Sequence, residues 1–449
     1  MKINNILKDK IKEIELSAGF KKYFVNTGWL FFERIVEMAV TFLVGVYVAR
    51  YLGPANFGLL SYSVSFVGLF AGIATLGLDN IVVRELVKDE KKRDELLGTT
   101  FILKVIGAIL AIGILTIAIR FTNNDDFTNL LIFIIVIGTI FQSFNVIDFY
   151  FQSKVLSKYT VYAQIFSTIV GSIIKLLLIY YNMGLIYFTM VTLLQSIILA
   201  SGLMVMYVRQ KSSLFKWRIN FDLTKRLLND SWPLIFSGIA ISIYMKIDQV
   251  MIKNMLDAKA VGNYAVAVRL SEVWYFIPMA ITNSLFPAII NAKKISEKLY
   301  YERLQKLYDL MVWLAMGIAL PIMLLSNNII NILFGIQYQE AAGVLRIYVW
   351  AGVFVFLGCA SGRWFLVENL QLLGSIYSFL GSILNVLLNI LLIPKYGIIG
   401  AAWATLISYL ITTNFILIVS KKTRKNFVLL LNSFNIVRVM SNFIRNIYV

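Results

Sequence analysis

Apolar residues run along this chain in long, continuous blocks separated by short polar or basic connections. A helix needs about 20 mainly apolar residues to cross the hydrocarbon core of a bilayer. Strands of a membrane barrel would be shorter and would alternate apolar with polar positions. The pattern therefore predicts an all-α polytopic membrane protein with about twelve transmembrane helices, at residues 27–49, 57–78, 98–120, 128–148, 159–181, 184–208, 231–253, 261–290, 306–327, 341–367, 371–393 and 397–419.

Composition strengthens this prediction and narrows the function. Of 449 residues, 59% are apolar and 15% are charged, against about 25% charged in soluble domains, and the mean hydropathy is +0.77. These values exclude a soluble enzyme, a disordered protein and a disulfide scaffold.

The only cysteine is Cys359 and there is no histidine, so histidine metal sites and Ser-His-Asp catalysis are excluded. No phosphate-cradling Gly-x4-Gly-Lys-Ser/Thr motif occurs, and the connections are too short to hold a catalytic domain. We therefore predict a transporter that is not an enzyme, with no catalytic residues, no metal and no resident cofactor.

The basic residues alternate from one connection to the next. Thirty Lys and Arg residues fall on one predicted side of the membrane, including Arg93, and five on the other, including Lys395. Because cytoplasmic connections carry excess Lys and Arg, both termini are predicted to be cytoplasmic. The same asymmetry, with attraction to anionic lipids, accounts for most of the net charge of +18 without a nucleic-acid partner.

A weak internal repeat divides the chain. Leu52 and Gly58 follow the first span with the same spacing that Leu256 and Gly262 have after the seventh, at an offset of 204 residues. A second similarity relates Gly184-Leu185-Ile186 to Gly397-Ile398-Ile399, at an offset of 213 residues. We expect two six-helix bundles of the same orientation around a central cavity. The predicted divisions are an amphipathic cytoplasmic N-terminus (1–25), an N-terminal bundle (26–210), a basic linker (211–230), a C-terminal bundle (231–420) and a basic interfacial tail (421–449).

Charged residues inside the spans are the candidate functional residues, because each costs about 2.5–3.5 kcal/mol at a helix centre. Basic side chains suit a phosphate group, and acids suit a coupling H⁺ or Na⁺. The candidates for substrate contact are Arg34, Lys104, Lys175, Lys246, Arg269, Arg346 and Arg363. The candidates for coupling or ion pairing are Glu33, Glu37, Asp148, Asp248 and Glu272.

Simpler explanations stay open for several of these charges. Glu33 and Glu37 are one helical turn apart and could lie in the headgroup zone. Arg269 and Glu272 could pair locally, and Lys104 could extend to the interface.

The opening of the chain resembles a known family. Val44-Gly45-Val46-Tyr47-Val48-Ala49-Arg50-Tyr51-Leu52-Gly53-Pro54-Ala55-Asn56-Phe57-Gly58, followed by Leu76-Gly77-Leu78-Asp79-Asn80 and Arg84-Glu85, is similar to bacterial Wzx-type flippases for lipid-linked oligosaccharides. That family belongs to a superfamily with MATE-type multidrug exporters. The positions that match the motif, with structural or gating roles implied, are Arg50, Gly53, Pro54, Gly58, Asp79 and Arg84.

The resemblance implies alternating access for an undecaprenyl-pyrophosphate-linked oligosaccharide at the bacterial cytoplasmic membrane, in O-antigen, capsule or exopolysaccharide synthesis. Implied partners are this lipid substrate, membrane lipids, and the polysaccharide polymerase and chain-length machinery. Relatives have a cationic cavity, whereas the candidates here mix both signs. The alternatives are a MATE-like, cation-coupled exporter of small molecules and a membrane-embedded glycan polymerase or transferase.

Overall fold

A computed structural model describes the backbone of residues 18–435 and of Arg438, with side chains from Val25 onward. The predicted amphipathic N-terminus up to residue 17 and the rest of the tail lie outside the described residues. Within the described ranges the chain forms helices and no strands. The α-helices in chain order are α1 (Ala18–Gly68), α2 (Ala71–Thr75), α3 (Asp79–Lys88), α4 (Arg93–Ile119), α5 (Asp126–Phe141), α6 (Val146–Ser153), α7 (Lys158–Tyr180), α8 (Leu185–Arg209), α9 (Phe221–Met255), α10 (Ala258–Glu272), α11 (Phe276–Ile295), α12 (Glu297–Leu324), α13 (Ser326–Leu333), α14 (Glu340–Val367), α15 (Gln371–Thr413) and α16 (Arg424–Asn432).

Ten helical segments of the described chain are long and apolar enough to cross a membrane. Two of them, Val25–Gly68 and Gln371–Ile418, have 44 and 48 residues. At about 1.5 Å per residue each is roughly 70 Å long, about twice the hydrocarbon thickness. Each is also broken by a glycine, Gly53 or Gly397, with non-helical φ/ψ, where the sequence predicted one span to end and the next to begin. Ten segments therefore correspond to about twelve crossings, and the predicted fold class is confirmed.

The break in α1 shows how the sequence makes a kink. Gly53 has φ +69°, a left-handed conformation that glycine adopts without strain. Pro54 has no N–H, so the carbonyl of Arg50 four residues earlier loses its helical donor. Gln337 replaces that donor, with its Nε2 atom 2.9 Å from the Arg50 oxygen. The buried hydroxyl of Tyr338 donates to the carbonyl of Ala49 at 2.7 Å.

The chain folds into two compact units. The first comprises the described residues up to Val48 together with Val67–Ile239, and the second comprises Ala49–Phe66 with the described residues from Ala240 onward. The core of the first unit includes Leu97 and Phe151. That of the second includes Trp364 and extends to Leu430 on α16. The predicted bundle boundaries stay a prediction.

The repeated Leu and Gly segments pack directly against each other inside the second unit. A Cβ atom added to Gly58 would lie 1.8 Å from the carbonyl oxygen of Ala258, and one added to Gly262 would lie 2.0 Å from that of Pro54. The offset of 204 that relates Gly58 to Gly262 also relates Pro54 to Ala258. The two contacts are therefore reciprocal, and both glycines are needed for the close helix crossing.

Candidate functional site

Among the described Asp, Glu, Lys and Arg residues of the second unit, the most enclosed is Asp248 on α9, which is 6% exposed. Its Oδ2 atom accepts hydrogen bonds from the Tyr264 hydroxyl and from Thr405 Oγ1, both at 2.6 Å. Its Oδ1 atom accepts one from Asn389 Nδ2, also at 2.6 Å. A second amide, Asn385, accepts from Asn389 Nδ2 at 3.1 Å. We call these five residues the Asp248 cluster, in which the one acid is held by neutral donors.

Helix α15 supplies much of this cluster because of its break at Gly397. Asn385 and Asn389 are one turn apart on the first half and so share a face. Thr405 lies on the second half, where its hydroxyl is also 3.0 Å from the carbonyl of Ala401. The sequence analysis selected Asp248 but missed its partners, because they are neutral. The signal available was a pair of asparagines, four residues apart, in an otherwise apolar span.

Two buried polar atoms of the cluster have no hydrogen-bond partner within the described chain, namely Asn389 Oδ1 and Asn385 Nδ2. Buried side-chain amide atoms are normally satisfied. Oxygen and nitrogen of an amide are also assigned from the hydrogen-bond network and can exchange by rotation. The cluster can therefore turn amide oxygens toward a positive ligand near the carboxylate.

Further predicted charges gather near this cluster. Glu272, near the end of α10, interacts electrostatically with Lys246, Arg269 and Asp248. Glu272, Lys246 and Arg269 are half-buried. The structure thus brings four of the candidates together in one unit, with both signs of charge represented.

Tyrosines surround these charges. Tyr244 and Tyr409 stack with ring centroids 4.5 Å apart, and Tyr264 meets Tyr348 edge-on at 5.9 Å. Aromatic faces with polar tips suit contacts with sugar rings and with hydroxyl groups.

A second group of acids lies in the first unit. Glu33 interacts with Glu37 and with Asp148. Asp148 accepts hydrogen bonds from Gln152 and Thr160, both at 2.7 Å. Glu37 is paired with the exposed Arg34 at 3.1 Å. Glu33, Glu37 and Asp148 therefore form a group of acids within the first unit.

Two predicted cations of the first unit are held by partners. Lys104, with its side chain 4% exposed, forms an ion pair with Asp79 at 2.8 Å, and its Nζ atom lies 4.7 Å from the centroid of the Phe149 ring. Lys175 donates to Gln195 Oε1 at 3.0 Å. Lys104 therefore links α4 to the motif residue Asp79 at the beginning of α3.

The two remaining candidates belong to the second unit. Arg363 donates to Asn283 and its guanidinium lies 5.2 Å from the centroid of the Phe286 ring. Arg346 is on α14, at the wall of a cavity. Among the described residues, neither arginine forms a hydrogen bond with a residue of the Asp248 cluster.

The motif residues divide by role. Gly53 and Pro54 form the kink, and Gly58 the close crossing, while Arg50 is exposed. Arg84 on α3 bonds to Glu85 and Asp230, each at 3.0 Å. A gating role for Arg50 or Arg84 stays a prediction.

Glu85, which follows the motif, has its pKa held below its usual range. The largest cause is the hydrogen bond from Lys88, at 2.9 Å, followed by that from Arg84. Arg226, at 2.9 Å on α9, adds to the effect.

Long apolar helices with ionisable groups inside their bundles define a polytopic helical membrane protein with a polar interior. Comparison with known proteins specifies the class further. The family described as "Polysaccharide biosynthesis protein" matches residues 24–293, and the MatE family matches residues 233–391. Because the first match spans more than half of the sequence, this chain belongs to the polysaccharide biosynthesis protein family.

Relatives and solved structures agree with this placement. The chain is 25% identical over 392 residues, 86% of its length and 80% of the relative's, to the probable low-salt glycan biosynthesis flippase Agl15 of Haloferax volcanii. It is 20% identical to the capsular polysaccharide biosynthesis protein CapF of Staphylococcus aureus, covering 85% and 95% of the two chains. The fold is similar to that of the lipid II flippase MurJ in an inward closed conformation, with TM-score 0.69, 18% identity and coverage of 94% and 93%. It also resembles an inward-facing MATE multidrug transporter, with TM-score 0.68, 15% identity and coverage of 88% and 96%.

Proposed function

We propose that this protein is a flippase that moves lipid-linked oligosaccharides across the cytoplasmic membrane during synthesis of surface glycans. Family membership supports this, as do relatives whose names describe glycan flippases. The likeness to a lipid II flippase supports it at the level of the fold. As in the sequence analysis, the lipid is an undecaprenyl-pyrophosphate carrier and both termini are cytoplasmic.

The observation that carries the proposal is the retention of charged groups inside apolar helix bundles. Arg269 and Glu272 lie among the tyrosines of the second unit, and the acids around Asp148 lie in the first. Charges at membrane depth are costly and mark pathways for polar substrates. A sugar headgroup needs hydroxyl and amide partners, and a diphosphate needs basic ones. The lipid tail stays in the bilayer while alternating access carries the headgroup across.

The test is deletion of the gene followed by analysis of surface glycan and of lipid-linked intermediates. We expect loss of surface glycan with accumulation of lipid-linked repeat units, restored by the wild-type protein. Restoration should be weak with Arg269→Gln and full with Arg120→Gln, which removes the same charge from an exposed position. Unchanged intermediates with altered drug susceptibility would favour the MATE-like exporter. Glycan made by the purified protein would favour the polymerase or transferase.

We further propose that transport is coupled to a cation bound at the Asp248 cluster. The carboxylate of Asp248, the amide oxygens of Asn385 and Asn389, and the Thr405 hydroxyl form a set of hard oxygen ligands, which suits Na⁺ better than a transition metal. Only one of these groups is an acid, and the described residues contain no cluster of three acidic, His or Cys ligands. A monovalent ion therefore fits the available charge. Protonation of Asp248 is the alternative means of coupling.

This proposal is tested by thermal unfolding of the purified protein in detergent at constant ionic strength, with Na⁺ exchanged for K⁺. We expect Na⁺ to raise the unfolding temperature of the wild type. Asp248→Asn, which keeps the shape of the side chain, should lose the shift. Glu297→Gln, which neutralises an acid with its side chain 73% exposed, should keep it. A wild type that responds to pH but not to Na⁺ would replace sodium by the proton, and a shift that survives Asp248→Asn would remove the ion from this site.

A further inference from the structure

The second unit contains a cavity of about 610 Å³ whose lining includes no residue of the Asp248 cluster. Three connections meet there: those between the predicted seventh and eighth, ninth and tenth, and eleventh and twelfth spans. Alternate connections lie on the same side of a membrane, and the charge asymmetry predicts that this side faces outward. The lining includes Asn327, Gln339, Glu340, Gly343, Arg346 and Tyr396.

Arg346 is the charged donor of this cavity. Its Nε atom donates to the hydroxyl of Ser326 at 2.9 Å, and Ser326 is fully buried. This bond fixes the guanidinium plane. Within the described part of the chain, the two terminal nitrogens of Arg346 make no hydrogen bond or ion pair, so both of these donor nitrogens stay available to a ligand.

The one acid in the lining does not cancel this charge. Glu340 forms an ion pair with Lys259 at 3.0 Å, and both side chains are more than half exposed. Asn327 and Gln339 add amide donors, and Tyr396 adds a hydroxyl. The lining itself carries one acid and one base, so the local positive charge comes from Lys259, which is paired with Glu340, and the lining adds several neutral hydrogen-bond donors.

We propose that this cavity binds a phosphate ester. Its volume is within the range of about 300–1,000 Å³ typical of small-ligand sites, and an oriented guanidinium with amide donors matches phosphate oxygens. The phosphate belongs either to the headgroup of a membrane phospholipid or to a soluble diphosphate. The chemistry is the same for both sources. The inference does not depend on the proposed flippase activity.

Binding is measured on the full-length purified protein. Inorganic pyrophosphate is titrated in detergent by calorimetry, and retention of phosphatidylglycerol against phosphatidylcholine is counted by native mass spectrometry. Two variants disturb the site differently. Arg346→Gln removes the charge, while Gly343→Leu fills the cavity and leaves the bond to Ser326 in place. A Cβ at Gly343 would meet the Ile399 side chain at 3.4 Å, an ordinary contact. Arg120→Gln is the control of equal charge.

We expect both variants to weaken binding of at least one probe by tenfold or more, and the control to change it less than twofold. Loss for phosphatidylglycerol alone assigns the site to a lipid headgroup, and loss for pyrophosphate assigns it to a diphosphate. The proposal is overturned if the wild type binds neither probe, or if binding survives in both variants. Because no transport is measured, its failure is distinct from failure of the flippase proposal.

Discussion

The reciprocal crossing of Gly58 and Gly262 gives a quantitative prediction. Gly58→Ala places a methyl group 1.8 Å from the Ala258 carbonyl oxygen, and backbone cannot move aside as a flexible side chain can. Restoring an ordinary contact of 3.4 Å requires the two segments to separate by about 1.6 Å. Overpacking of this kind costs about 1–3 kcal/mol. The separation also weakens the matching contact of Gly262 with Pro54, so we expect about 3 kcal/mol of destabilisation for either glycine.

The double variant provides the sharper test. One separation of the segments relieves both clashes, so Gly58→Ala with Gly262→Ala should cost at least about 1 kcal/mol less than the two single effects combined. The assay is unfolding of purified protein in mixed dodecyl maltoside and SDS micelles, followed by circular dichroism. Gly113→Ala and Gly317→Ala are controls, because nothing lies within 4 Å of the added Cβ at either site. Additive single effects, or single variants as stable as these controls, would refute the reciprocal crossing.

Two further outcomes follow from other contacts. Tyr338→Phe removes the donor to the Ala49 carbonyl at the kink, and leaving that buried oxygen without a partner should cost about 1–3 kcal/mol in the same unfolding assay. The control Tyr181→Phe, at an exposed position, should change the stability little. Equal effects of the two variants would show that Tyr338 does not stabilise the kink. Glu85 has a depressed pKa, so its stabilising effect is present above its usual pKa and is lost as pH falls through the lower value. Glu85→Gln should therefore flatten the dependence of unfolding temperature on pH between about pH 6 and pH 3, and an unchanged slope would show that this cluster does not contribute.

The sequence predicted the helical crossings well, because membrane spans are determined by length and continuous apolarity. The predicted span at 341–367 matches Glu340–Val367, and that at 184–208 matches Leu185–Arg209. The predicted second span was less accurate: the helix ends at Gly68 and a short helix, Ala71–Thr75, follows. Hydropathy measures how well a segment partitions into the bilayer. It does not detect a turn between two apolar segments.

The repeat was detectable because it depends on glycine, which no other residue can replace at so close a crossing. Periodicity gave the spacing of Gly58 and Gly262 but not their contact, since the offset says only that two segments are alike. That they pack on each other is a property of the three-dimensional fold. Their reciprocal geometry gives the repeated glycines a physical reason.

The candidate sites were harder to predict from the sequence than the helices. Charge inside a span identified Asp248, Arg269 and Glu272, because an ion in an apolar segment stands out in any sequence. The same search could not distinguish a paired cation such as Lys104 from a cation that contacts substrate. The partner of Lys104 is Asp79, which lies outside the predicted spans. The search for charge also overlooked Asn385 and Asn389. Their role in the cluster depends on the carboxylate of Asp248, which belongs to a helix more than one hundred residues earlier. The cation site that we propose at Asp248 combines one acid with several neutral oxygens, so a search of the sequence for charged residues finds the acid and overlooks the other ligands.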